Sequence, residues 1–110
     1  MGSMIIFHAN HRQLNDEQTI NVMLPSRMTA DERQTFFRKL LRDGVYQPAY
    51  HIDNDRLDVA FDCGNGYAPT GVNVTVLPNT AHTSTSVGDI IIVNGLQRML
   101  VMPMGFEEIF

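Results

Sequence analysis

The stretch that most constrains the fold is Gly88-Asp89-Ile90-Ile91-Ile92-Val93-Asn94-Gly95, which runs on into Leu96 to Met102. Ile90 to Val93 is an unbroken β-branched run that reads as a buried strand. Asn94-Gly95 supplies the positive φ angles that a two-residue type I′ turn requires between two apolar runs. A second strand returns through Arg98-Met99-Leu100-Val101-Met102, so the carboxyl quarter predicts a β-hairpin of fixed register. It places no nucleophile, metal cluster or phosphate loop.

Upstream, Met4 to His8 is a short apolar run suited to a strand, and Thr19 to Leu24 reads as a second, ended by Pro25. The polar stretch from Asn10 to Gln18 then becomes a long hairpin loop. Thr29 stands three before Glu32, a capping-box spacing, and Phe36, Phe37, Leu40 and Leu41 recur at helical offsets. A helix is predicted from Ala30 to Asp43, with Gly44 as the residue after its end. Val45 to Ile52 reads as a strand that Pro48 should push to a sheet edge, because proline cannot donate to a ladder. Leu57, Ala60 and Phe61 satisfy both strand and helix spacing, with Asp53 or Asn54 available as a cap and Gly64 as a stop. Cys63 to Gly71 is rich in glycine and reads as irregular, and Val72 to Leu77 alternates as another strand before a polar link from Pro78 to Thr85. The sum is one α+β domain of about five or six short, mostly antiparallel strands with one or two helices.

Length supports a single domain, since 110 residues suffice for one core. Hydrophobic residues make up 44% and charged residues 18%, a globular balance far from that of disordered chains. Net charge is −4, which disfavours general nucleic-acid binding because few cations are available to displace phosphate counterions. Cys63 is single, so no internal disulfide forms, and no amino-terminal run has the basic flank and apolar core of a signal peptide. A cytoplasmic protein is the expectation, with no membrane association. Met1-Gly2-Ser3 ahead of Met4 reads as a cloning remnant, leaving residues 4–110 as the domain.

Ser84-Thr85-Ser86-Val87-Gly88-Asp89, the apolar hairpin and the closing Gly105-Phe106-Glu107-Glu108 together resemble a group of small phage and plasmid proteins. Members carry an Arg/Thr-Ser-x-Ser-Val-Gly-Asp turn and a terminal Gly-Phe, and YodL-type domains of mobile elements have a similar ending. Leu57-x-x-Ala60-Phe61 and Asn65 echo a Leu-x-x-Ala-Phe-x-x-Thr-Asn pattern of helical character, although Gly64 replaces its Thr and the chain has no Trp. On that resemblance, residues 55–63 are expected to be helical. The resemblance covers roughly residues 53–110 and implies a mobile-element origin without an agreed activity. Physically, Ser84, Ser86, Gly88 and Asp89 make a turn, Asn94 and Gly95 the hairpin, and Gly105 with Phe106 closes its open end.

Few residues carry chemistry. His8 and His11 lie three apart, with His51 and His82 elsewhere and no cysteine pair, so no metal site is expected. Cys63 reads as a small buried hydrophobe before it reads as a nucleophile. Gly64-Asn65-Gly66 lacks the lysine and the strand-to-helix setting of a phosphate loop. No catalytic residue and no cofactor is expected.

Asp53, Asp55, Asp58 and Asp62 form an acidic series that is either a solvated face or a docking surface for a basic partner. Leu96, Met99, Val101 and Met104 are candidates for partner binding or homodimerisation, since methionine adapts to varied surfaces.

The leading expectation is a non-enzymatic binding protein of a phage or plasmid that occupies a host or defence protein, as an anti-CRISPR or anti-restriction factor does. The alternative is a nucleic-acid-associated regulator using Arg12, Arg27, Arg33, Arg38, Lys39 and Arg42. A small enzyme using Cys63 or a histidine ranks third.

Overall fold

A computed structural model of the chain describes residues 2–78 and 84–110. Six strands, β1 (Met4–Ala9), β2 (Tyr46–Ile52), β3 (Val74–Val76), β4 (Ile90–Val93), β5 (Gln97–Val101) and β6 (Phe106–Ile109), form one sheet. Their spatial order is β3-β2-β1-β4-β5-β6, and each neighbouring pair is antiparallel. The described residues also form three helices, α1 (Asp16–Met23), α2 (Ala30–Arg42) and α3 (Leu57–Gly64), giving an α+β fold, with short 3-10 turns at His11–Gln13 and Pro25–Arg27.

β1 organises both layers because it is apolar on both faces. Met4 and Ile6 point to one face, where they bury against Ile52, Ala60, Cys63, Ile91, Val93 and Val101 beneath α3. Phe7 and Ala9 point to the other, packing on a cluster of Val22, Phe37, Leu40, Tyr46, Ile90, Leu100 and Ile109 beneath α1 and α2. Each fully buried Ile, Leu or Phe here contributes about 1.5–3 kcal/mol through its removal from water.

α2 is the predicted helix. Thr29 Oγ1 accepts the Glu32 N–H at 3.2 Å and the Glu32 carboxylate accepts the Thr29 N–H at 2.8 Å, closing the capping box. Gly44 follows at φ 74°, a conformation that costs glycine little. Arg33 makes a two-pronged pair with the Glu107 carboxylate at 2.8 and 2.9 Å, tying α2 to β6. The Gln34 amide donates to the Glu108 carbonyl at 2.7 Å and accepts the Phe110 N–H at 2.9 Å. It thereby occupies edge hydrogen-bonding groups that a foreign strand would otherwise use.

Several expectations are corrected. Residues 19–24 are not a strand, and 10–18 are not a hairpin loop. Asn15 accepts the Gln18 N–H at 2.8 Å while Gln18 accepts the Asn15 N–H at 2.9 Å, a capping box that starts α1. Only Val22 of α1 is buried, so the alternation of Ile20 and Val22 does not mark a sheet face. The sixth strand is instead β6, whose Glu107 is accommodated by Arg33. β2 lies one place in from the edge, but β3 pairs only with Tyr50, His51 and Ile52, leaving Pro48 beyond that ladder at the register shift opposite Ile6 and Phe7. The hairpin loop holds three residues, because Val93 pairs with Gln97. Asn94 and Gly95 do take positive φ, at 53° and 71°, and Asn94 is further held by Ser3, whose N–H reaches its side chain at 2.9 Å. α3 is helical as the resemblance implies, yet neither Asp53 nor Asn54 is the residue immediately before it, which is Arg56.

The turn before β4 is wedged against α1. Gly88 has φ 93°, and a Cβ there would stand 2.2 Å from the Val22 carbonyl oxygen. Gly88→Ala is therefore expected to lower stability by about 2–4 kcal/mol, from backbone strain plus overpacking, as read by urea unfolding.

Candidate interaction surface

The surface follows from a mismatch of areas. Six strands at ~4.8 Å spacing make a sheet about 24 Å across, whereas one helix covers roughly 10 Å. α1 and α2 share one face, but among the described residues the other carries a single helix, the eight-residue α3. α3 packs on β1 and β2, leaving the strip over β5 and β6 open. That strip is a cleft of about 340 Å³ lined by Asp58, Phe61, Asp62, Val101, Met102, Pro103, Gly105 and Phe106.

α3 supplies one wall. Leu57, Ala60 and Gly64 turn toward the sheet, and Asp58, Phe61 and Asp62, at i, i+3 and i+4, share the side that faces the cleft. Phe61 is 37% exposed despite its size. The other wall is the β5–β6 turn, closed by the Met102 N–H donating to the Gly105 carbonyl at 3.0 Å, with Gly105 at φ 83°. Met104 at its tip is 93% exposed. Val101 is fully buried and forms the floor, beside the half-buried Phe106 with which it pairs.

The predicted binding residues divide. Asp58, Asp62 and Val101 come together at this cleft, while Met104 lies at the tip of the turn that forms its second wall. Asp53 does not join them: its carboxylate accepts the Asn73 backbone N–H at 2.7 Å and the Asn73 amide at 2.8 Å, fastening β3 to the end of β2. Asp55 lies at the hairpin end, 3.5 Å from the Asn94 amide. Leu96 is 84% exposed at that same hairpin turn, at the far end of β5. Met99 is half-buried against the core of the α3 face. The reading of residues 19–24 as a strand also hid an exposed apolar group on α1, formed by Ile20, Met23 and Leu24.

Asp58 pairs with Arg56 at 3.1 Å in an exposed ion pair. Asp62 has no cation against it among the described residues. Arg33, one of the cations proposed for nucleic acid, is committed to Glu107. Arg38, Lys39 and Arg42 are exposed and, with Thr35, line a shallow pocket on the outer side of α2. Cys63 is buried, and that burial pushes its thiol up, against the thiolate a nucleophile needs.

The motif residues build a buried polar cluster. Ser84 is exposed. The Ser86 backbone N–H donates to Asp89 Oδ2 at 2.8 Å, while the Tyr46 hydroxyl donates to the Gly88 carbonyl. His8 is buried with its Nε2 3.6 Å from Asp89 Oδ2, because Asp89 continues the β4 position opposite it. Its ring meets Tyr50 edge-on at 5.8 Å. Thr85 Oγ1 is buried, has no hydrogen-bond partner among the described residues and sits against Gly64, where no Cβ would fit. Among the described residues no three His, Cys, Asp or Glu side chains gather as a metal site, and no helix is long and apolar enough to cross a membrane. His82 lies outside the described residues.

Comparison with protein-family models, with characterised proteins and with solved structures finds no match to this chain.

Burial raises the Asp89 carboxyl to about 7, with the Ser86 N–H opposing the shift, and Tyr46 is raised well above its usual range by burial and by Asp89. Between about pH 4 and pH 7 the folded chain thus holds a proton that the unfolded chain has released. Stability from this group is greatest at the acid end, falls as pH rises toward 7 and then levels, a loss on the order of 4 kcal/mol. Asp89→Asn is expected to remove most of that slope in urea titrations at pH 5 and pH 7.5.

Proposed function

We propose that this protein is a non-enzymatic binding protein of a phage or plasmid, acting by occupying a surface of a host protein in the manner of an inhibitor of bacterial defence. The observation that carries the binding reading is the cleft between α3 and the β5–β6 turn, where Phe61, Val101, Met102, Pro103 and Phe106 form an apolar lining beside Asp58 and Asp62, with the exposed Met104 at the tip of that turn. Contiguous apolar surface rimmed by polar groups is a common mark of protein–protein contact. The mobile-element origin rests on the Ser-x-Ser-Val-Gly-Asp turn and terminal Gly-Phe. The burial of Cys63 and the committed hydrogen bonds of Asp53 weigh against a catalytic use of either.

A second reading, binding of nucleic acid, draws support from the shared outer face of Arg38, Lys39 and Arg42 on α2. Arg38→Glu with Lys39→Glu would abolish salt-dependent DNA retention if that reading held.

Under the leading reading, Phe61→Ala with Met104→Asp lowers capture of the protein partner from bacterial lysate by at least about tenfold, since truncated anchors commonly cost more than 1 kcal/mol. Leu96→Asp, also at an exposed side chain but at the other end of β5, leaves capture unchanged. Leu96→Asp should keep the wild-type unfolding midpoint, and the double variant, in which the partly buried Phe61 is truncated, should lose no more than about 2 kcal/mol and stay folded.

A further inference from the structure

We infer that the segment held by the cleft is cationic, with one large apolar side chain entering between Phe61 and Phe106 and lysine or arginine side chains over Asp62 and Asp58; this rests on the protein-binding reading above. The lining residues include two carboxylates and no cation. Asp58 already has Arg56, whereas Asp62 has no counter-charge among the described residues, so Asp62 has the greater electrostatic complement to gain. A neutral segment laid over Asp62 would strip water from an ionised group without replacing its interactions, and an acidic one would add repulsion. Selection thus falls on the charge at the rim, while the floor of Val101 and Phe106 offers only apolar contact.

Size sets the other half of the specification. About 340 Å³ is at the low end of the ~300–1,000 Å³ range of ligand pockets, which suits a single anchoring side chain better than a folded element. The walls, an α3 face and a β turn, leave the cleft open to an extended chain passing across it. Phosphate-bearing partners are disfavoured on this side of the molecule by the same two carboxylates.

The test uses the full chain and four synthetic twelve-residue peptides. One carries a single Phe among four lysines, a second replaces the lysines by glutamine, a third by glutamate, and a fourth keeps the lysines but replaces Phe by Gly. Binding is read from the methionine ε-methyl NMR signals of Met102, which lines the cleft, and of Met104 at the tip of the turn that forms its second wall. The expected result is that the lysine–Phe peptide moves the Met102 signal and binds at least about tenfold more tightly than the glutamine peptide at low salt, with the advantage shrinking at high salt. Asp62→Lys should erase that advantage and Asp62→Asn reduce it about threefold. Equal binding of the neutral or acidic Phe peptides at Met102 would overturn the cationic assignment and leave the protein-binding reading standing. Equal binding of the Gly peptide would overturn the anchored form. Failure of all four to move Met102, together with unchanged partner capture by Phe61→Ala with Met104→Asp, would overturn the cleft as a binding surface.

Discussion

The structure depends on a central strand that is apolar on both sides. β1 pairs with β2 along one edge and with β4 along the other, so it joins the amino-terminal residues to the carboxyl quarter across nearly the whole chain. Met4 and Ile6 demand a cover on one face while Phe7 and Ala9 demand one on the other. That requirement accounts for the placement of every helix. Two helices suffice for one face of the sheet, and a single short helix leaves part of the opposite face uncovered. The cleft is the consequence of that shortfall.

The turn from Thr85 to Asp89 supports this arrangement from the side. It bonds inward through Asp89, Gly88 and the Thr85 N–H, which donates to the Gly64 carbonyl at 3.2 Å. It thereby links the end of α3, the start of β4 and the end of α1 through packing on Val22. A carboxylic acid buried beside a histidine is a costly way to hold a turn, and its cost depends on protonation. The Ser-x-Ser-Val-Gly-Asp sequence therefore acts in this chain as a structural clamp, with Gly88 required by contact and Asp89 by its bond to the Ser86 N–H.

Much of this was legible in the residues. Runs with explicit stops, such as Ala30 to Gly44 and the strand Ile90 to Val93, fold as their patterns indicate, whereas the turn after Val93 takes in Leu96 as well as Asn94 and Gly95. Residues 19–24 do not, since their alternating apolar side chains are mostly exposed on a helix and the decisive signal was the Asn15–Gln18 capping pair a few residues earlier. β6 was hidden because Phe106-Glu107-Glu108-Ile109 has no strand-like alternation, and its Glu107 is tolerated only through Arg33, 74 residues away. Of the candidate surface, the acidic series and the methionine-rich hairpin were both visible. Which members meet was not, because the packing of α3 across β1 and β2 brings Asp58 and Asp62 near the β5–β6 turn and sends Asp55 and Leu96 to the opposite end. His8 beside Asp89 likewise follows from strand register, which no local pattern encodes.

We propose the uncovered strip, rather than the basic face of α2 or the exposed apolar group at the end of α1, as the working surface. The most direct measurement is site-specific photo-crosslinking in bacterial cells, with a benzophenone amino acid placed at Met104 in one variant and at Met23 in another, both side chains being largely exposed. The account predicts a discrete protein adduct from position 104 that disappears with Phe61→Ala, and none from position 23. An adduct from position 23 alone would contradict it and move the working surface to α1.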